Sequence, residues 1–120
     1  MVKIMIFIRK KAGLTREQFI HYYENNHVPL INRVIGPFPC DYRRSYPLDG
    51  QSFGLLGADA GNSAAPDCDV VTEIWLKDQE TMDAMFAKAA EPEIAATIAA
   101  DEENFADRSS VRIMIVEEMS

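Results

Sequence analysis

Four stretches of the chain are rich in the β-branched and aromatic residues of strands, and two helical patterns lie between them. The strand stretches cover residues 2–9, 40–46, 69–76 and 111–116. One helical pattern follows the first strand and the other follows the third, so the order is β-α-β-β-α-β. This order predicts an α+β fold of the ferredoxin-like type, in which a four-stranded antiparallel sheet carries both helices on one face.

The ends of the helices are marked by capping residues and by proline. Thr15 and Gln18 match a capping box at the start of the first helix. Pro29 is expected to end that helix near residue 25 or 26, to push Val28 out of the α region, and to open a short second turn. Asp78 is expected to cap the second helical pattern.

A long segment over residues 48–67 contains four glycines and has no strand or helix pattern. Connections of this length are uncommon in compact domains and are usually functional or mobile. We expect one domain over residues 1–120, with 48–67 as a long flexible loop.

The predicted sheet is apolar on both faces. Ile4, Ile6, Ile8 and Ile74 belong to the face that the helices cover. The other face predicts a homodimer in which two sheets pack together, because an exposed apolar patch of that size is unfavourable on a monomer. This dimer face would consist of Met5, Phe7, Val71, Trp75, Met114 and Val116. The alternative is that the long loop folds over this face.

Charge and composition exclude several functions. The net charge of −7 argues against nucleic acid or an anionic membrane as partner, and no run of residues is apolar enough to span a membrane. We expect a cytoplasmic protein with two free thiols, Cys40 and Cys68. The sequence has no phosphate-binding loop and no metal-binding spacing, so neither a cofactor nor a metal is expected.

The segment HYYENNHVPL, residues 21–30, holds the candidate catalytic group. Phe19, Tyr23 and His27 are spaced four residues apart, so they share the helix face that looks toward the sheet. A histidine beside a phenol in an apolar lining is a candidate acid–base pair. The alternative is that His27 only binds the last carbonyls of a helix. His21 projects elsewhere and is expected to be solvated.

The same segment resembles the EthD family of dimeric α/β-barrel proteins. The matching residues are Leu14, Thr15, Glu17, Phe19, Tyr22, Tyr23, His27, Pro29 and Leu30. The resemblance implies a ferredoxin-like protomer and a homodimer. It also implies a role linked to the breakdown of ethers and other xenobiotics, or to the cofactor-free oxidation, dehydration or cyclisation of aromatic intermediates.

Three functions follow as expectations. The first is a cofactor-independent enzyme, an oxidoreductase or a dehydratase or cyclase, that acts on an apolar aromatic or xenobiotic molecule. His27 would be its acid or base and Tyr23 its donor, in a pocket lined by Ile4, Ile6, Ile8, Phe19 and Ile74. The second is a non-catalytic binding or accessory protein, and the third a haem-binding barrel with His27 as axial ligand.

Overall fold

The computed structural model describes residues 1–38, 41–54 and 65–119. The strands are β1 (Val2–Lys10), β2 (Asp41–Ser45), β3 (Val70–Leu76) and β4 (Ala106–Val116). The helices are α1 (Arg16–Tyr22), α2 (Val28–Val34), α3 (Gln79–Ala89) and α4 (Pro92–Phe105), and a π-helical turn (Tyr23–His27) joins α1 to α2.

The four strands form one sheet in the order β2-β3-β1-β4, with every neighbouring pair antiparallel. The two strands separated by the most sequence, β1 and β4, are neighbours. This topology confirms the predicted α+β, ferredoxin-like fold.

The predicted helix caps are also confirmed. The Thr15 side chain accepts from the Gln18 backbone N–H at 3.1 Å, and the Gln18 side chain accepts from the Thr15 N–H at 2.9 Å. Asp78 accepts from the Thr81 N–H at 2.8 Å and starts α3. Gly13 precedes the first cap with φ of +92°, a left-handed conformation that glycine adopts without steric cost.

The prediction that Pro29 ends the first helix is wrong. Val28 has α-helical angles (φ −58°, ψ −48°), and its N–H binds the Tyr23 carbonyl five residues back. A proline ring clashes with the carbonyl four residues before it in a regular α-helix, here that of Asn25. The π turn interrupts the regular α-helical hydrogen-bond pattern just before Pro29, and the chain continues directly into α2.

The strand boundaries differ from the prediction mainly at β4, which begins at Ala106, five residues before the expected start. This polar extension pairs Asp107 with Arg9 and Ala106 with Lys10, beyond a register shift in β1. Cys40 and residues 55–64 of the predicted loop lie outside the described residues.

The helices and the sheet enclose two apolar clusters. One is centred on Phe19, Tyr23 and Phe105, and the other on Ile4, Ile74 and Met82. Alternate residues of β3 are buried along its whole length, as expected for a strand with one face on the core. β4 is an edge strand, and its Ile113 and Ile115 remain half exposed.

The opposite face of the sheet carries a charged cluster at one end. The Lys3 ammonium lies 2.6 Å from Glu73 and 2.8 Å from Glu118, and 4.6 Å from the centre of the Trp75 ring. Toward the middle of the sheet the same face carries Met5 opposite Met114. Within the described residues, no helix is both long enough and apolar enough to cross a membrane.

Candidate active site

A cavity of about 200 Å3 lies between the helices and the covered face of the sheet. Its lining is almost entirely apolar, with contributions from β1, β3, α2, α3 and α4. The polar side chains on its wall are those of Tyr23, His27, Tyr42, Thr72 and Glu102. A mostly apolar pocket with a few placed polar groups is the usual form of a small-molecule site.

His27 is held on the cavity wall by a buried carboxylate. Its Nδ1 lies 2.6 Å from Oδ2 of Asp101, and the two residues are only 7% and 6% exposed. Because an ionised carboxylate can only accept, the neutral imidazole carries its proton on Nδ1. The lone pair is then on Nε2, which has no hydrogen-bond partner among the described residues.

Asp101 is itself fixed by a second donor. The hydroxyl of Tyr22 donates to Oδ1 at 2.7 Å, and Asn104 donates to that hydroxyl oxygen at 3.0 Å. Burial and the neighbouring carboxylate raise the pKa of Tyr22, so this phenol stays protonated and remains a donor. Asp101 therefore accepts one hydrogen bond on each oxygen, as a fixed orienting group requires.

Tyr23 packs its ring against the imidazole, with ring centres 4.6 Å apart. Its hydroxyl lies 2.6 Å from Oγ1 of Thr72 on β3, and burial raises the pKa of this phenol. Tyr23 is thus a neutral residue whose hydroxyl is already paired within the protein. Its ring fixes one face of His27.

Glu102 adds a carboxyl group to the cavity wall. Burial raises the pKa of Glu102, while Arg108, at 3.5 Å, opposes that rise. Within the described residues, no group of three or more His, Cys, Asp or Glu side chains is placed to hold a metal ion.

The structure brings most of the predicted site residues together. Those on the cavity wall are Ile4, Ile6, Ile8, Tyr23, His27 and Ile74. Phe19 lies elsewhere: its side chain is fully buried in the core, in contact with Phe105 and Tyr46. His21 is exposed.

Sequence reasoning missed Asp101, although a signal was present. Ile94, Ile98 and Phe105 form the apolar stripe of α4, and Asp101 lies on the same stripe, three residues after Ile98. A carboxylate among the buried positions of a helix needs a partner. That position therefore pointed to a buried polar pair.

Fold and site together define a ferredoxin-like α+β protein with a buried His–Asp pair beside an apolar cavity. A family model described as the EthD domain matches residues 11–109. The chain therefore belongs to the EthD family. No curated protein matches the chain.

Three solved structures are similar over nearly the whole chain. An ethyl tert-butyl ether D family protein from Bacillus halodurans has 22% identity and a TM-score of 0.59, covering 99% of this chain and 100% of its own. HapK from Hahella chejuensis has 16% identity and a TM-score of 0.59, covering 100% and 94%. At3g17210 from Arabidopsis thaliana has 14% identity and a TM-score of 0.61, covering 100% and 97%. At these identities the similarity shows the fold.

Proposed function

We propose that this protein is a cofactor-independent enzyme that removes a proton from an apolar, aromatic small molecule, with His27 as the base. The observation that carries the proposal is the His27–Asp101 pair, which is buried while the imidazole forms part of an apolar cavity wall. A base with an oriented imidazole and little surrounding water is well suited to such a transfer.

The steps follow from the hydrogen bonds. Nε2 of His27 accepts the substrate proton, and the imidazolium that forms donates from Nδ1 to Asp101 at 2.6 Å. Asp101 stabilises that charge without taking the proton, as the Asp of a catalytic triad does. Tyr22 keeps the carboxylate in place through its own 2.7 Å hydrogen bond.

Several reactions can begin with this proton transfer. Dehydration and cyclisation of an aromatic intermediate need no further reagent, whereas oxidation would require dioxygen as the electron acceptor. Glu102 lies on the same cavity wall, and the imidazolium of His27 can return its proton to the product. Aromatic or xenobiotic substrates suit the apolar lining.

Deuterium exchange tests the base without knowledge of the natural substrate. The probe is 2-tetralone, whose C1 protons are acidified by both the ring and the carbonyl, and exchange in D2O is followed by NMR. We expect His27→Gln to lower the protein-catalysed rate by about 10²–10⁴-fold. His21→Gln, at an exposed position in the preceding turn, is the matched control and should leave the rate unchanged. Equal rates for wild type and His27→Gln would refute the proposed role.

A binding or accessory protein is the second candidate, favoured by the small number of polar groups on the cavity wall. It predicts saturable binding of 2-tetralone with exchange no faster than in buffer. Haem binding by His27 makes a separate prediction, a Soret shift on titration with haem that is lost in His27→Gln.

We also propose that the functional unit is a homodimer formed by the open sheet face. Met114 is 48% exposed there, and Phe7, Val71 and Trp75 are only partly buried within one chain. The salt bridges of Lys3 at one end of this face supply the charged rim that an apolar interface usually has.

A further inference from the structure

Tyr42 of β2 is another polar residue on the cavity wall. Its side chain lies on the helix-covered face, because Tyr42 pairs with Ile74, whose side chain is buried on that face. Among the described residues its hydroxyl makes no hydrogen bond, whereas the hydroxyl of Tyr23 is paired with Thr72. Of these two phenols, Tyr42 is therefore the one whose hydroxyl can donate a hydrogen bond to a ligand.

The ring of Tyr42 is held in place on two sides. Phe38 contacts it edge-on with ring centres 5.1 Å apart, and the Arg44 guanidinium lies 5.1 Å from its centre. Arg44 is fixed in turn by two hydrogen bonds to Glu24, at 2.6 and 3.0 Å. Burial raises the pKa of Tyr42, so its hydroxyl remains a donor throughout the neutral range.

Tyr42 and His27 line the same cavity, so a single ligand could contact both. The ring of His27 packs against Tyr23, whose hydroxyl is hydrogen-bonded to Thr72. Thr72 is in turn the diagonal neighbour of Tyr42 across the β2–β3 pair. An apolar cavity of about 150 Å3 can hold benzene, so the present 200 Å3 is suited to one or two fused rings.

We propose that the Tyr42 hydroxyl donates a hydrogen bond to a carbonyl oxygen of the ligand, so that the site selects aromatic ketones. The inference rests on the proposed function for the proton transfer itself. When His27 takes a proton from the carbon beside the carbonyl, the electrons of the broken C–H bond move onto the carbonyl oxygen. Tyr42 then stabilises the resulting enolate oxygen, as donors of an oxyanion hole do.

Two ligands that differ only in the carbonyl oxygen test the assignment. The affinities of 2-tetralone and of tetralin, which has the same ring skeleton without the oxygen, are measured by NMR titration. We expect Tyr42→Phe to weaken 2-tetralone binding about 3- to 10-fold, the usual value of a hydrogen bond between uncharged groups. Tetralin binding should change by less than about twofold, because the lost hydroxyl makes no bond to it. His21→Gln, at an exposed position outside the cavity lining, is the control and should leave both affinities unchanged.

The outcomes separate this assignment from the proposed function. An equal effect of Tyr42→Phe on both ligands, or no effect on either, overturns the role of Tyr42, as does a wild type that binds the two ligands equally well. A selective loss of 2-tetralone affinity supports the hydrogen bond from Tyr42 even if no exchange is catalysed. In that case the proposed role of His27 as base is refuted. Where exchange does occur, Tyr42→Phe should also slow it at saturating ligand, by about 10²-fold.

Discussion

Asp101→Asn changes one atom of the His27–Asp101–Tyr22 hydrogen-bond chain and keeps its shape. The carboxylate accepts from His27 at 2.6 Å and from Tyr22 at 2.7 Å. An amide can accept only through its oxygen and must donate through its nitrogen. If the oxygen keeps the Tyr22 bond, the amide nitrogen donates to Nδ1 of His27, and the imidazole proton must move to Nε2.

The magnitude of the effect follows from that change of tautomer. With a proton on Nε2, the neutral ring has no lone pair facing the cavity. The same substitution in a Ser-His-Asp triad lowers kcat about 10⁴-fold for this reason. Here we expect a loss of about 10²–10⁴-fold in 2-tetralone exchange. The free energy of unfolding should fall by only about 1–3 kcal/mol, because a charge-assisted hydrogen bond is replaced by a neutral one.

Two measurements check this prediction together. The tautomer is read from ¹⁵N shifts of the His27 ring, and exchange is measured on the same samples. Glu103→Gln, which also removes one negative charge from α4 but at an exposed side chain, is the matched control. A ring that switches tautomer while the exchange rate stays at the wild-type value would refute the role of Nε2 as base. An Nδ1-protonated ring in the variant would refute the hydrogen-bond reasoning.

Three further predictions concern stability and assembly. Met114→Lys should reduce the mass found by light scattering from twice 13.5 kDa to that of one chain. Ile115→Lys, which is equally exposed on the other face of β4, should leave the mass unchanged. A monomeric mass for the wild type would contradict the dimer. Arg44 holds the pKa of Glu24 below its usual 4.5, so this pair adds stability above that pH and loses it as the pH falls through the lowered value. Glu24→Gln should therefore lower the free energy of unfolding by about 1 kcal/mol at pH 7 and reduce its dependence on pH on the acid side, as measured by urea unfolding. An unchanged pH dependence would contradict this. Thr72→Val leaves the buried hydroxyl of Tyr23 without its partner, so the free energy of unfolding should fall by about 1–3 kcal/mol in the same assay. A fall of less than about 0.5 kcal/mol would show that this hydroxyl finds another partner.

Local signals predicted the fold well because each acts within a few residues. The capping box at Thr15 and the cap at Asp78 satisfy backbone N–H groups that any helix start leaves open. The alternating apolar residues of β3 identified its buried face. The start of β4 was missed because the segment 106–110 is polar, and its strand geometry depends on pairing with Arg9 and Lys10.

The candidate site was only partly predictable, because its hydrogen bonds join residues distant in sequence. His27 and Asp101 are 74 residues apart, and no local pattern pairs them. For the same reason, the sequence predicted Tyr23 as the donor and did not identify Tyr42. Which phenol has a free hydroxyl depends on Thr72, which the fold places beside Tyr23.

The π turn between α1 and α2 affects how this segment can vary in length. Phe19 and Ile31 are both buried, yet twelve residues of regular α-helix would rotate them about 120° apart. The turn absorbs one residue, and the eleven that remain bring the two side chains to within about 20° of each other. Loss of a single exposed residue such as Asn26 would keep the phase of both core contacts, but a regular helix would also require replacement of Pro29, whose ring clashes with the carbonyl four residues before it. The cavity wall around His27 can therefore change shape between relatives through insertion or deletion, while the core beneath it stays the same.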